Sequence, residues 1–207
     1  MARTSSAEPR KRPRQSRSTD TVERILAAAA RIFDERGYRS TTTNHVAAEA
    51  GVSIGSLYQY FPNKDALLVA LAEQHLAAAA ARFGGELARM REEQPALDDT
   101  VRSLVELTIA LNDSSRLHAI LFSDCPRTPA LTQRLDQFTE LLVSEVSWHL
   151  ERTASGGSDP LLRARLVITA VDAAVHEVVL GQPPGRDRTA ATAELVDLVL
   201  GGLVHDP

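Results

Sequence analysis

The sequence predicts an all-α chain: an N-terminal three-helix domain carrying a helix-turn-helix, followed by a C-terminal helical bundle. Three observations predict it. Apolar residues recur at three-, four- and seven-residue spacings, no segment alternates as a strand would, and Gly, Pro and Asn-Asp punctuation cuts the apolar runs into helical lengths. At 207 residues the chain is long enough for two domains and a sizeable core.

Composition narrows the setting. Cys125 is the only cysteine, so no intrachain disulfide forms, and a reducing, cytoplasmic compartment is expected. No uninterrupted apolar run approaches the roughly 18 residues of a membrane span, and no apolar signal segment follows the basic N-terminus, so no membrane partner is expected. The net charge of −4 hides a division. Residues 1–64 hold eleven Arg and Lys against six Asp and Glu, whereas the remainder holds twelve against twenty-one. The positive field therefore lies at the end with the helix-turn-helix, where it attracts phosphate.

Residues 1–18 begin MARTSSAEPRKRPRQSR, rich in Arg and broken by Pro9 and Pro13. Such a segment is expected to be disordered alone, serving either as an arm that follows phosphates and the minor groove or as a solvated tail. From Thr19 or Asp20 a helix is predicted, with Asp20 and Glu23 spaced as a capping box and Val22, Ile25, Leu26, Ala29, Ile32 and Phe33 forming its buried stripe. Gly37 ends it.

The stretch from Thr41 to Lys64 is the most informative. Val46, Ala47 and Ala50 share one helical face and Gly51 follows as a left-handed C′ residue. Ser53 then caps a second short helix, with Leu57 and Phe61 facing inward and Ile54, Gly55, Tyr58 and Gln59 outward, until Pro62 stops it. Two short helices joined by a Gly-containing turn make a helix-turn-helix over 42–61, whose second helix fits the major groove of double-stranded DNA. Thr42, Thr43 and Ser53 stand at helix starts, where hydroxyls and unpaired N–H groups suit a phosphate. Base reading falls to the outward groups Asn44, Ile54, Gly55, Tyr58 and Gln59: Asn and Gln pair with adenine, Ile touches a thymine methyl, and Gly permits close approach.

AEAGVSIGSLYQYFPNKDALL resembles the signature of the TetR family of transcriptional regulators: the A-G-V-S turn, the G-S-L-Y recognition helix, the aromatic-rich Y-Q-Y-F end and the N-K-D-A-L opening of the next helix. The resemblance covers residues 19–79. It implies that Ser56, Tyr58, Tyr60 and Lys64 touch the DNA backbone. Tyr60 stands where His is commoner in the family, and Ile54 where a polar residue is frequent.

Asn63 caps the next helix, through Leu67, Leu68, Leu71 and Leu76 into alanines 77–81, with Gly84-Gly85 expected to kink or end it. The boundary with a C-terminal domain, 80–207, is placed there. Helices then follow at 97–112, 114–123, 129–153, 160–180 and 189–204. The last two are apolar around most of their circumference, which predicts burial against more than one neighbour. A second copy of the chain, joined as a four-helix interface, is the expected neighbour, with a purely internal core as the alternative.

The resemblance further implies an unidentified small-molecule effector within the second domain that releases a homodimeric repressor from an inverted-repeat operator. Residues proposed to line its site are Asn112, His118, Phe122, Cys125, Phe138, Trp148 and His176. No cofactor, metal site or enzymatic activity is expected: the histidines lack metal-ligand spacing, no glycine-rich phosphate loop follows a strand, and no G-x-S-x-G elbow occurs. The alternative reading is a helical carrier or enzyme in which the helix-turn-helix is only scaffold. The positive N-terminal segment argues against it.

Overall fold

A computed structural model describes residues 14–112, 116–182 and 185–204, and among them every regular element is helical. The helices are α1 (Arg14–Arg36), α2 (Thr43–Glu49), α3 (Ile54–Tyr60), α4 (Lys64–Glu93), α5 (Leu97–Asn112), α6 (Arg116–Ser123), α7 (Pro129–Arg152), α8 (Pro160–Ala174) and α9 (Arg186–Val204), with a π-helical turn at Val175–Val179. The chain divides into two compact units, Met1–Leu71 and Ala72–Pro207. That division falls inside α4, eight residues before the sequence-based boundary at 79/80.

The first unit is held by one small core. Ile25, Leu26, Ala29, Ile32 and Phe33 of α1 bury against Val46 and Ala47 of α2, Leu57 of α3, Phe61, and Leu67, Leu68 and Leu71 of α4. Each fully buried aliphatic or aromatic side chain contributes about 1.5–3 kcal/mol, so so short a domain depends on every one of them. α1 begins at Arg14, earlier than the Thr19–Asp20 start read from the sequence. Pro13 is the last breaker, and Arg14, Gln15 and Arg17 after it are good helix formers. Asp20 and Glu23 consequently lie inside the helix and not at its cap. The other thirteen residues of the expected arm lie outside the described residues.

In the second unit, Val101 and Val105 of α5, Val143 and Leu150 of α7, Ala164 of α8, Val175 and Val179 of the π turn, and Leu195, Val196 and Leu203 of α9 form one core. Caps fix the helix starts. Thr128 accepts from the Leu131 N–H ahead of α7, and Asp159 accepts from the Leu162 N–H ahead of α8, with Pro129 and Pro160 at the first helical positions.

Two expectations are corrected here. Gly84 and Gly85 do not end α4, which runs on to Glu93 and stops at Gln94, in the left-handed region at φ 49, before Pro95. Both glycines are exposed with open space around them, and an exposed helical glycine costs only about 0.5–1 kcal/mol. The predicted helix 160–180 is also not uniform: after Ala174 it widens into the π turn, in which the Leu180 N–H reaches back to the Val175 carbonyl at 2.9 Å. By length and composition α4 is apolar enough to cross a membrane, an average that alanines 77–81 raise although no single run looked long enough. Its large apolar side chains Leu67, Leu68, Leu87 and Met90 are buried in the protein.

Candidate nucleic-acid interface and ligand cavity

The interface is built by two short helices that would not persist alone, since seven residues close too few hydrogen bonds to repay nucleation. Capping and core anchoring hold them instead. Thr42 Oγ1 accepts from the His45 N–H (3.3 Å) while His45 Nδ1 accepts from the Thr42 N–H (3.4 Å), a capping box closed by histidine. Ser53 Oγ accepts from the Ser56 N–H (3.0 Å) and lies 2.8 Å from Ser56 Oγ. Leu57 is wholly buried and Phe61 nearly so, which turns the opposite side of α3 to solvent.

On that side stand Ile54, Gly55, Tyr58, Gln59 and Tyr60, all exposed, with Tyr58 half exposed at 50%. Thr42, Asn44 and Ser53 are exposed beside them, and Thr43 and Ser56 are half-buried. Thr43 Oγ1 lies 3.0 Å from Tyr58 OH, tying the first turn of α2 to the outer face of α3. Lys64 is half-buried: its Nζ donates to the Tyr38 carbonyl at 2.8 Å and sits 4.1 Å from the centre of the Tyr38 ring. The structure thus brings ten of the eleven proposed DNA residues onto the caps and solvent side of α2 and α3, and places Lys64 under partial restraint by Tyr38.

Two residues that hold this geometry carry no local signal. Arg24 of α1 donates from Nη2 to the carbonyls of Ala50 (2.6 Å) and Gly51 (3.2 Å), clamping the turn from outside, and Gly51 takes φ +63 there. Tyr38 packs edge-on to Phe33, its ring centre 5.4 Å away, and its hydroxyl bonds the Asp65 carboxylate. Both act across 26 or 27 residues, beyond any periodicity or cap pattern.

The second unit contains a cavity of about 410 Å³, lined mainly by apolar side chains of α4, α5, α6, α7, α8 and α9. Of the seven residues proposed for a ligand, Asn112, His118, Cys125, Phe138 and His176 line it. Trp148 does not: its ring lies under the guanidinium groups of Arg91 (4.5 Å) and Arg152 (5.8 Å), an outer position that stacking on cations explains. The side chain of Phe122 lies outside the described residues. His75 and His149, to which the sequence reading gave no ligand role, line the cavity as well. Burial, first, and the nearby imidazoles of His176 and His75 push the pKa of His118 down to about 4; burial likewise lowers that of His149. Among the described residues no cluster of His, Cys, Asp and Glu is arranged to hold a metal.

A band of exposed apolar side chains runs over α8, the π turn and α9: Leu161, Leu162, Leu166, Val178 and Leu198, the last 67% exposed. Buried partners on the inner side of the same helices account for only part of their apolar character.

Comparison with known proteins fits both halves. Residues 25–71 match the model of bacterial regulatory proteins of the tetR family, and residues 96–203 match that of the tetracyclin repressor-like C-terminal domain. The HTH-type transcriptional regulator CymR of Pseudomonas putida is 28% identical over 132 residues, 64% of this chain and 64% of that protein. The curated relatives it matches are covered over only 19% to 64% of their own length. Among solved structures, FadR of Bacillus subtilis in complex with stearoyl-CoA is 21% identical, with a TM-score of 0.64 over 88% of this chain and 99% of that one. A putative transcriptional regulator of Saccharomonospora viridis in complex with choline is 18% identical, with a TM-score of 0.67 over 91% and 100%. At these identities the structures speak for the fold alone, but the family models cover the helix-turn-helix and more than half of the chain beyond it, so the chain belongs to the TetR family of bacterial regulatory proteins.

Proposed function

We propose that this chain is a sequence-specific DNA-binding transcriptional regulator, a repressor that sits as a homodimer on an inverted-repeat operator and leaves it when a small molecule fills the cavity of the second unit. The observation that carries the reading is the outward face of α3, where Ile54, Tyr58 and Gln59 stand exposed on a helix pinned from behind by Leu57 and Phe61. In the groove, Gln59 and Asn44 offer paired donors and acceptors to base edges, and Ile54 offers an apolar contact to a thymine methyl. Thr42, Thr43, Ser53, Ser56, Tyr58, Tyr60 and Lys64 surround that strip with groups suited to phosphate oxygens, which set register and leave the choice of sequence to the strip.

One subunit reads half a site. Two copies joined through the apolar band of α8 and α9 would hold two α3 helices at a fixed separation, matched to half-sites about 34 Å apart or a multiple of it. Ligand in the cavity acts by favouring a subunit arrangement whose spacing no longer fits, and shifts the equilibrium only by its difference in affinity for the two arrangements. The ligand-bound relatives of the same fold support a small-molecule effector.

Selection of bound duplexes from a random pool tests this reading. The expected product is an inverted repeat whose affinity falls steeply with salt, with slope set by the number of phosphates contacted. Recovery of a single unrepeated half-site by monomeric protein, or binding with no sequence preference, would overturn it.

A further inference from the structure

One part of the cavity wall gathers three histidines. There the imidazole rings of His75, His118 and His176 follow one another, with ring centres 5.2 Å apart between the first two and 5.0 Å between the last two. The outer two are committed. The Asn112 side-chain amide donates to the Thr108 carbonyl at 2.8 Å, so its oxygen is the acceptor for His75 Nε2 at 3.2 Å. His176 Nδ1 lies 2.8 Å from the Asp172 carbonyl, to which it can only donate. The middle ring differs: both nitrogens of His118 are buried and neither has a hydrogen-bond partner among the described residues. Leaving such a group unmet costs about 1–3 kcal/mol, which a ligand group would recover once the His118 ring turns a nitrogen toward the cavity that the residue lines.

Resting on the effector reading of the cavity, we propose that its ligand is an uncharged, largely apolar molecule bearing a hydroxyl, an alcohol or a phenol, which the ligand places against His118. Geometry and charge select that chemistry. A neutral imidazole presents one N–H and one bare nitrogen, and a hydroxyl pairs with either, as acceptor or as donor. A carboxylate pairs only with the N–H and would bring a negative charge toward Asp172, whose Oδ1 lies 3.4 Å from His176 Nδ1. Arg127, which lines the cavity, is exposed and keeps its charge in water. An ammonium pairs only with the bare nitrogen and leaves its other N–H donors against a largely apolar wall. The low pKa of His118 keeps its ring neutral at pH 7, as this recognition requires.

Calorimetric titration of the full chain with propylbenzene, 4-propylphenol and 4-propylbenzoate tests the proposal. The phenol is expected to bind about tenfold more tightly than propylbenzene, the worth of one neutral hydrogen bond, with heats that do not depend on the buffer and hence no proton uptake. His118→Phe should reduce that preference to within about twofold while propylbenzene still binds. His118→Gln, which keeps a donor and an acceptor, should retain part of it. If either variant fails to fold, ring resonances of labelled histidine in the unaltered protein replace it: those of His118 should shift with the phenol and not with propylbenzene. Tighter binding of the benzoate with uptake of a proton would overturn the proposal, as would a preference for the phenol that survives His118→Phe; both leave the cavity reading intact. Failure of all three probes to bind would sink the effector reading itself, and this inference with it.

Discussion

Thr43 Oγ1 and Tyr58 OH lie 3.0 Å apart, a hydrogen bond that crosses from the start of one short helix to the exposed side of the next. Both residues belong to the proposed DNA surface, so their contribution to binding should be joint. Thr43→Val and Tyr58→Phe are each expected to weaken operator binding. The double variant should lose less than the two separate losses combined, by about 0.5–1.5 kcal/mol. Fluorescence anisotropy on all four proteins measures it, and strict additivity would show that the bond does not shape the surface.

Lys64 keeps two of its three N–H donors after bonding the Tyr38 carbonyl. Lys64→Gln should therefore lower affinity for all sequences alike and flatten the salt dependence by about one phosphate's worth of slope. Titrations between 50 and 200 mM salt check this. A change in which operator is preferred, with the slope unaltered, would instead make Lys64 a base reader.

In the turn between α2 and α3, Gly51 sits where a side chain would be crowded and strained. A Cβ at Gly51 would lie 3.2 Å from Arg24 Nη2, on a backbone at φ +63 that β-carbons disfavour. Gly51→Ala is expected to destabilise the first unit by about 1–2 kcal/mol. Arg24→Met should destabilise it by about 1–3 kcal/mol by releasing the Ala50 and Gly51 carbonyls. Thermal unfolding of both variants reads the effect.

Short-range chemistry made most of this surface legible beforehand. Ser53 as a cap, Gly51 as the left-handed stop and the Leu57–Phe61 anchor are encoded within four residues of where they act, and the structure places each as its pattern indicates. What the sequence hid acts at a distance. Arg24 and Tyr38 reach partners 26 or 27 residues away, and the ring succession His75, His118, His176 assembles from three separate helical segments with no spacing to announce it. The breakers misled where solvent made them harmless: Gly84 and Gly85 face open space, so α4 passes through them. Trp148, proposed as a ligand contact, has its ring covered by two neighbouring arginines.

Acid should weaken the second unit. The pKa of His118 and that of His149 are lowered in the folded chain, so below the ordinary value near 6.5 the unfolded chain binds more protons. The stability from these neutral rings is fully present above that value and is lost as pH falls below it, for His118 down toward about 4, by at most about 1.4 kcal/mol per pH unit for one group. Melting temperatures between pH 7.5 and 4.5 should decline, and His118→Phe should make the decline shallower.

Leu166 and Leu198 are exposed at 62% and 67% on α8 and α9. Leu166→Glu with Leu198→Glu is expected to yield a monomer by light scattering, with the helical content retained and operator affinity reduced at least about tenfold, because each half-site must then be held alone. A dimer that survives both changes would place the contact elsewhere.

That bare leucine band also has a consequence for dosage. If two copies pair through it as proposed, the active species at low expression grows with the square of the number of chains made. A cell halving synthesis would lose about three quarters of the paired form, giving such a regulator a threshold in its own abundance even where its ligand is absent.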